Sequence, residues 1–304
     1  GLNSGQVFLV NQAQGFNWQD YTVHDKVHPN KAGAEKMATV WFEALKKVLA
    51  SSETVFSPDI VRYKTLENGD SLALHIFKPR NMQAGEKRPV IVYFFGGGWK
   101  LGTPLQFYRE CAYYASKGMV AVSVDYRIEY LHHSTPFDSF EDAKDAICWL
   151  RSHASDYQLD PDKIAVGGGA AGGHLAAALG TIGSDEAVNY RPNLSVLYYP
   201  VVDMVSRGYG FPEIKRDFEK ISPIHHVSEA TPSTLILLGT KDPIVSVETI
   251  RSYQDKLLQK GVDCELHLFE GAGHPIFLYR KPLTEDYYKV RKLTDDFLKR
   301  EGFL

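Results

Sequence analysis

The stretch Val166–His174, which reads VGGGAAGGH, predicts a tight glycine turn between a buried strand and a helix. An apolar run over 163–166 precedes the turn, and an Ala/Leu-rich run over 175–179 follows it. A strained turn between a strand and a helix projects one side chain above the edge of a sheet. The projected residue is Ala170, so a methyl group stands where such a turn usually presents a reactive atom.

Length and composition allow one large globular domain. The chain has 304 residues, a net charge of −3 and a hydrophobic fraction of 44%, and a chain of this length buries about three quarters of its unfolded surface. It carries no basic patch that would indicate a nucleic-acid partner, and no run of about 18 apolar residues that would cross a membrane. No charged start followed by an apolar core marks a signal peptide.

The cysteines and histidines do not have the spacing of a metal site. Cys111, Cys148 and Cys264 are widely separated, which argues against a disulfide framework and against thiolate ligation. The eleven histidines show no H-E-x-x-H or similar ligand spacing. We therefore expect no metal and no cofactor.

From about residue 58 onward, apolar strands alternate with amphipathic helices. Asn68-Gly69 between two alternating runs predicts a hairpin, and the apolar run Val90–Phe95 predicts a strand buried on both faces. This alternation predicts an α/β fold, with a mostly parallel sheet and helices on both faces. The predicted strands are 60–66, 71–77, 90–95, 119–125, 163–166, 194–199, 234–238 and 265–269. The predicted helices are 106–117, 141–152, 247–260 and 284–299, and a polar insertion over 204–230 is expected to border a cleft.

Three loops that follow predicted strands hold the positions of a catalytic triad. They carry Ala170, Asp242 and His274, in that order along the chain. Nucleophile, acid and histidine have this order in α/β-hydrolases, where the histidine takes the serine proton and the acid orients the histidine. Asp242 before Pro243 also fits a simple turn, and His274 also fits a solvated loop. The co-occurrence of three such loops in this order favours the triad.

A fourth loop, Phe95–Trp99, contains three glycines at the end of another predicted strand. Glycines let backbone N–H groups approach a reacting carbonyl closely, although plain flexible loops contain glycine triplets as well. Phe95–Trp99 resembles the HGGGW motif of the hormone-sensitive-lipase-like carboxylesterases and acetyl esterases, and 168–176 resembles their GxSAGGHLA block. Tyr126-Arg127 resembles their DYRL segment, and Asp142-Ala143 their D-A motif. We call Phe95–Trp99 the oxyanion loop.

The resemblance spans residues 60–300 and implies the α/β-hydrolase fold and carboxylic ester hydrolysis. Position 170 is then that of the nucleophile. Phe95 stands where the family has a histidine that braces the oxyanion loop. The other implied roles are oxyanion donors at the N–H groups of Gly97, Gly98 and Ala171, the acid at Asp242 and the base at His274.

Two hypotheses account for the alanine at the nucleophile position. In the first, Ala170 replaces the serine of an active esterase, a deliberate change that traps a substrate or product. In the second, the chain is a natural binding protein on an esterase scaffold. The intact glycines, acid and histidine favour the first, because a chain without catalysis has no chemical reason to keep them all. A general short-chain acyl esterase and a prolyl-oligopeptidase-type peptidase share the triad order, and the glycine loop favours esters over peptides.

Residues 1–55 differ in pattern from the rest. The block Asp25–Asn30, which reads DKVHPN, precedes a predicted amphipathic helix over 31–50. It resembles the closing block of SGNH (GDSL-type) hydrolases, notably acetylxylan esterases, in which the matching Asp25 and His28 would activate a serine. The serine-bearing block of that family is absent. We therefore predict that 1–55 is the C-terminal fragment of an upstream esterase domain with a linker, and that 56–304 is the α/β-hydrolase domain. The alternative is an accessory helix packed on the main domain.

The expected partner is an ester substrate, either a small molecule or an oligosaccharide ester. Trp99, Phe107, Tyr108 and Tyr209 are candidates to stack on a sugar or an aromatic acyl group, although core packing is the simpler explanation for any one of them. The acetylxylan-esterase-like block on the same chain favours feruloyl or acetyl groups on plant cell-wall polysaccharide such as xylan. A polysaccharide substrate would imply a secreted or periplasmic protein.

Overall fold

The structure is a computed structural model that describes residues 32, 35, 36, 38–40, 57–80, 82–183, 189–204, 217–277 and 284–304. The chain divides into two compact units, one formed by 1–55 with 279–284 and the other by 56–278 with 285–304. In the first unit the described residues between 32 and 40 are helical, and the Thr39 hydroxyl donates to the Glu35 carbonyl at 2.9 Å. They agree with the predicted helix, whereas the DKVHPN block and the predicted linker lie outside the described residues.

The second unit is built on one eight-stranded sheet. Its strands are β1 Asp59–Thr65, β2 Ser71–Phe77, β3 Arg88–Phe94, β4 Val120–Val124, β5 Leu159–Gly169, β6 Leu194–Tyr198, β7 Ser233–Gly239 and β8 Cys264–Phe269. The strand order is β1-β2-β4-β3-β5-β6-β7-β8. The β1–β2 and β2–β4 pairs are antiparallel, and every later pair is parallel. The mostly parallel sheet that the sequence predicts is therefore confirmed.

Helices alternate with these strands and flank the sheet. They are α1 Tyr108–Ser116, α2 Glu129–His132, α3 Pro136–Ser152, α4 Ala154–Tyr157, α5 Ala171–Thr181, α6 Phe218–Ile221, α7 Val247–Gln259 and α8 Glu285–Arg300. Helix α1 packs against β4, α5 against β5 and β6, α7 against β8, and α8 against β7. Within the described ranges, no helix has the length and apolar character needed to cross a membrane.

The central strands form because their residues suit burial on both faces. In β3 the side chains from Val90 to Phe94 are fully buried, and all five residues of β4 are buried as well. Strands of a parallel sheet are covered on both sides, so they are continuous apolar runs instead of alternating ones. At the edge of the sheet, β1 and β2 form the predicted hairpin, whose turn places Gly69 at φ 89°.

Two helices begin earlier than the apolar pattern predicts. Helix α3 begins at Pro136 and not at 141, because Thr135 caps it and Asp138 bonds back to the Thr135 backbone in a capping box. The helix predicted from 106 begins as a 3₁₀ turn, Pro104–Phe107, and becomes α-helical at Tyr108. Proline in the first turn of both elements favours these earlier starts.

The sheet order brings the candidate loops to one edge. Strands β3, β5, β6, β7 and β8 are neighbours with parallel directions, so their carboxyl ends lie on the same side. The oxyanion loop follows β3, Ala170 follows β5, Asp242 follows β7 and His274 follows β8. Open α/β sheets bind their ligands at this edge.

Candidate active site

The turn at Ala170 has the strained backbone that the glycine pattern predicts. Ala170 lies between β5 and α5 with φ 51° and ψ −114°, a conformation that residues with a Cβ rarely adopt. Its N–H donates to the Tyr198 carbonyl at 3.1 Å. Its carbonyl accepts from the N–H groups of His174 at 2.9 Å and Val201 at 3.3 Å. These bonds hold the turn and leave the Ala170 side chain at the edge of the sheet.

Two glycines around Ala170 are required by close backbone contacts. A Cβ at Gly168 would lie 2.4 Å from the backbone of Gly172. A Cβ at Gly172 would lie 2.0 Å from the Phe94 carbonyl oxygen and 2.4 Å from that of Phe95. Because these neighbours are backbone atoms, they cannot rotate away. Helix α5 therefore reaches β3 only when both positions are glycine.

The oxyanion loop lies directly against this turn. A Cβ at Gly96 would lie 2.8 Å from the Gly169 carbonyl oxygen and 3.5 Å from the Ala170 Cβ. Gly97, Gly98 and Trp99 all have positive φ, at 143°, 66° and 58°. Within the described part of the chain, the N–H groups of Gly97 and Gly98 make no hydrogen bond. The first N–H groups of a helix, such as that of Ala171 in α5, also lack partners within the helix.

Asp242 and His274 form a hydrogen-bonded pair. The Asp242 Oδ2 atom lies 2.7 Å from His274 Nδ1, and the Asp242 side chain is fully buried. Asp242 Oδ1 accepts from the N–H groups of Ile244 at 2.8 Å and Val245 at 2.9 Å. Burial opposes the charged carboxylate, but the bonds from His274 and these two N–H groups outweigh it and lower the Asp242 pKa.

The loops after β7 and β8 are joined by backbone bonds that fix this pair. Thr240 N–H donates to the Phe269 carbonyl and Lys241 N–H donates to the Ala272 carbonyl, both at 2.9 Å. The Thr240 hydroxyl accepts from the Gly271 N–H at 2.8 Å. With Nδ1 bonded to Asp242, the other ring nitrogen of His274 is the atom left for proton transfer.

Tyr199 connects the turn at Ala170 with His274. Its ring lies edge-on to the His274 ring, with 4.4 Å between centroids. A Cβ at Gly169 would lie 2.7 Å from the Tyr199 hydroxyl, so the tyrosine also touches the turn. Tyr199 could not be identified from the sequence, because an aromatic residue after a buried strand carries no pattern that separates a site residue from a core residue.

His174 is a second residue to which the sequence assigned no role. It is fully buried in α5, and its Nε2 lies 2.7 Å from the Ile221 carbonyl oxygen. Among the described residues, its Nδ1 has no hydrogen-bond partner. Burial lowers the His174 pKa to about 4, although the bond to Ile221 acts in the opposite direction. The imidazole is therefore neutral at pH 7 and supports the structure around Ala170.

Two of the four predicted substrate-stacking residues lie in the core of the structure. Trp99 is 2% exposed and lies edge-on to His174, with 5.1 Å between ring centroids. Phe107 is fully buried and stacks on Tyr93, and Tyr108 is half-buried with its hydroxyl on His75. Tyr209 lies outside the described residues. Trp99 and Phe107 thus occupy core positions.

No metal-binding group was found in the described ranges: they contain no set of three or more His, Cys, Asp or Glu side chains that could hold an ion. The candidate site instead contains a glycine turn, a set of backbone N–H donors and an Asp–His pair. This arrangement suits acyl transfer once a nucleophile stands at position 170.

Comparisons with known proteins point to ester hydrolases. The BD-FAE family profile matches residues 74–206. The probable carboxylic ester hydrolase LipM of Mycobacterium tuberculosis is 28% identical over 218 residues, which are 64% of this chain and 50% of LipM. An acetylxylan esterase of Xylanibacter ruminicola is 24% identical over 212 residues, which are 63% of this chain and 42% of that protein. The chain thus spans about half the length of the curated relatives it matches.

Solved structures resemble the chain over a larger share of their length. A thermophilic esterase of Thermogutta terrifontis is 36% identical, with a TM-score of 0.77 over 81% of this chain and 93% of the esterase. The same esterase has been solved with propionate bound, and phosphorylated by paraoxon. The similarity therefore extends over most of this chain and nearly all of that esterase.

Proposed function

Since this chain belongs to the α/β-hydrolase carboxylesterases, we propose that it is the serine-free form of a carboxylic ester hydrolase, with its nucleophile position at Ala170. The observation that carries the proposal is the strained backbone of Ala170. The oxyanion loop packs against that turn, its Gly97 and Gly98 N–H groups have no hydrogen-bond partner among the described residues, and Tyr199 touches both the turn and His274 of the Asp242–His274 pair.

A serine at position 170 would complete a Ser-His-Asp mechanism. Its Oγ would attack the ester carbonyl while His274 Nε2 takes the hydroxyl proton. The developing oxyanion would accept hydrogen bonds from the N–H groups of Gly97, Gly98 and Ala171. The alcohol would leave with the proton from His274, and water would then release the acid by the same steps in reverse. Asp242 would hold the His274 tautomer and stabilise the imidazolium.

The first prediction restores the nucleophile. Ala170→Ser should raise kcat on p-nitrophenyl acetate by up to about 10⁶-fold, since removing a triad nucleophile costs about this much. Paraoxon should also add one phosphoryl adduct to the Ala170→Ser chain, visible by intact mass, and none to the chain as it stands. The double variant Ala170→Ser/His274→Ala, which lacks the base, is the control. A restored chain that hydrolyses the ester no faster than the parent would refute the proposal.

We further propose that the substrates are acetyl or feruloyl esters of plant cell-wall polysaccharide such as xylan. The BD-FAE match, the similarity to an acetylxylan esterase and the DKVHPN block support this substrate class. On the restored enzyme, methyl ferulate and acetylated xylooligosaccharide should give higher kcat/KM than p-nitrophenyl palmitate. Activity confined to long acyl esters would contradict this class, and equal activity on any short ester would indicate a general acyl esterase.

The alanine itself favours one alternative, a natural binding protein on an esterase scaffold. Such a protein would bind a carboxylate or ester at the free N–H donors without turning it over. Hydrolysis restored by Ala170→Ser would support the esterase, and ester binding without restored hydrolysis would support the binding protein. Wild-type sequence at position 170 in the source gene would decide directly between a natural and an introduced alanine.

Two proposals concern the rest of the chain. We propose that 1–55 is the end of an upstream esterase domain, on the support of the DKVHPN block alone, and that the full protein is secreted or periplasmic, as a polysaccharide substrate requires. The intact mass of the natural protein would test the first, and its detection in secreted, periplasmic or cytoplasmic fractions would test the second. An intact mass with no additional N-terminal domain, or a protein confined to the cytoplasm, would contradict the respective proposal.

A further inference from the structure

One peptide unit at the start of the oxyanion loop is held from both sides by side chains. The unit joins Phe95 to Gly96. The Tyr126 hydroxyl donates to the Phe95 carbonyl oxygen at 2.6 Å, and Gln106 Oε1 accepts from the Gly96 N–H at 2.6 Å. Both bonds fall on a single planar group, so together they fix its rotation about the chain axis.

In the described part of the chain, side-chain hydrogen bonds hold this peptide unit just before the two expected oxyanion donors. The next two units carry the N–H groups of Gly97 and Gly98, and glycine has no Cβ to restrict its backbone. Downstream, the Gly97 carbonyl accepts from the N–H groups of Lys100 and Leu101, both at 3.2 Å. Since the Gly97 carbonyl and the Gly98 N–H belong to one peptide unit, this turn holds the unit of the Gly98 donor, and the unit that carries the Gly97 N–H lies between it and the Phe95–Gly96 unit.

Both side chains are themselves held in place. Tyr126 is fully buried and stacks on the Phe95 ring, with 4.1 Å between centroids and 15° between planes. Burial, with the neighbouring Asp125 carboxylate, raises the Tyr126 pKa well above its usual value, so the hydroxyl stays a donor. Gln106 lies in the 3₁₀ turn Pro104–Phe107, which is anchored by the fully buried Phe107. Neither residue needs to move to make its bond.

Phe95 itself cannot hold the loop through its side chain, because its ring can neither donate nor accept a conventional hydrogen bond. We infer that Gln106 and Tyr126 are positioning residues that together orient the Gly97 and Gly98 N–H groups toward the oxyanion. Their effect on turnover rests on the proposed function, whereas their effect on the loop does not.

Hydrogen exchange on the chain as it stands tests the loop directly. Gln106→Met and Tyr126→Phe should each raise the exchange rate of the amides in 94–101 by about fivefold or more, since each removes one hydrogen bond from a fixed peptide. Gln254→Met and Tyr113→Phe are the matched controls. Gln254 donates to the Cys264 carbonyl at 3.2 Å, and the Tyr113 hydroxyl donates to Asp295 Oδ2 of α8. Exchange in 94–101 that rises no further than in the controls overturns the inference.

Kinetics in the Ala170→Ser background test the effect on the donors. Gln106→Met and Tyr126→Phe should each lower kcat on p-nitrophenyl acetate by about 10- to 100-fold with little change in KM, because a misplaced donor is lost mainly in the transition state. Gln106→Glu should recover most of kcat, since a carboxylate oxygen accepts the same N–H. The double variant should lose much less than the product of the single losses, because both bonds act on one peptide.

The two experiments separate the possible failures. Unchanged kcat in both single variants, or losses that multiply in the double variant, overturns the inference even if exchange increases. An Ala170→Ser chain with no esterase activity refutes the proposed function, while the exchange rates still decide whether the loop is held. Should Tyr126→Phe fail to fold, Gln106→Met, which changes a half-buried side chain, carries the same test.

Discussion

Ala170 has a strained backbone and a side chain that is only a methyl group. A residue with a Cβ at φ 51° and ψ −114° costs on the order of 1–3 kcal/mol and persists only where its surroundings enforce it. Here the bonds to Tyr198, His174 and Val201 enforce it. A methyl group gains nothing from this conformation, so the strain is best explained by a side chain that the position is built to present.

At position 170, therefore, glycine should stabilise the chain. Ala170→Gly should raise the free energy of unfolding by about 1 kcal/mol, because relief of the positive-φ strain exceeds the entropy that glycine loses on folding. The neighbouring change Ala171→Gly, which lies at the start of α5, should instead lower it by about 0.5–1 kcal/mol. Urea unfolding of both variants at pH 7.5 measures the difference, and equal destabilisation would contradict the strain at Ala170.

His174 should make the fold sensitive to acid. Burial lowers its pKa from 6.5 to about 4 in the folded chain, so below pH 6.5 the unfolded chain takes up a proton that the folded chain does not. Stability is thus lost as pH falls from about 6.5 to about 4, by up to about 3 kcal/mol. His174→Gln should flatten this part of the pH profile in urea unfolding, while His153→Gln, a change at a half-buried histidine, should leave it as steep as in the parent.

At the scale of elements, the glycines of α5 differ in how closely the helix backbone approaches its neighbours at each position. Gly172 would place a Cβ 2.0 Å from the Phe94 carbonyl oxygen, whereas Gly180, in the same helix, would place one 3.2 Å from the Pro232 side chain. The sequence alone shows two helical glycines of equal standing. Only the packing shows that Gly172 touches backbone atoms that cannot rotate away, whereas Gly180 lies against the side chain of Pro232.

This contrast predicts opposite outcomes for two identical substitutions. Gly172→Ala should lower the free energy of unfolding by about 3 kcal/mol or more, since backbone atoms must shift to admit the methyl group. Gly180→Ala should change it by less than about 1 kcal/mol, because the higher helix propensity of alanine offsets a mild contact. Thermal and urea unfolding measure both, and similar losses would refute the assignment of the close contact to Gly172.

At the scale of the whole molecule, one buried carboxylate joins three distant segments. Asp142 in α3 accepts from Arg127, after β4, through the backbone N–H at 2.9 Å and through Nε at 2.8 Å, and from Lys64 of β1 at 2.6 Å. Its side chain is fully buried. The D-A motif seen in the sequence is thus a structural junction between the sheet edge and α3.

Removal of this carboxylate should be costly. Asp142→Ala should lower the free energy of unfolding by about 3–5 kcal/mol, because it leaves the Arg127 charge without its buried partner. Asp145→Ala removes a second partner of the same Lys64, but the Asp145 side chain is 51% exposed, so the loss should be below about 1 kcal/mol. Urea unfolding at pH 7.5 measures both, and comparable losses would contradict the junction.

The amino-acid sequence by itself determined the features that depend on local chemistry. Runs such as Val90–Phe95 mark the buried strands, and the glycines around Ala170 mark the sharp turn, since apolar periodicity and positive φ are properties of short segments. The chain order of Ala170, Asp242 and His274 also indicated the fold class and where the site would form. Element starts were less predictable, because the Thr135 capping box extends α3 beyond its apolar pattern.

The tertiary structure decided what depends on residues far apart in the chain. Sheet order brought the loops of β3, β5, β7 and β8 to one edge, and packing placed Trp99 in the core. The bonds from Gln106 and Tyr126 to one peptide join residues up to 31 positions apart. A single sequence contains no local signal for such contacts, because their free energy exists only once strands and helices have packed.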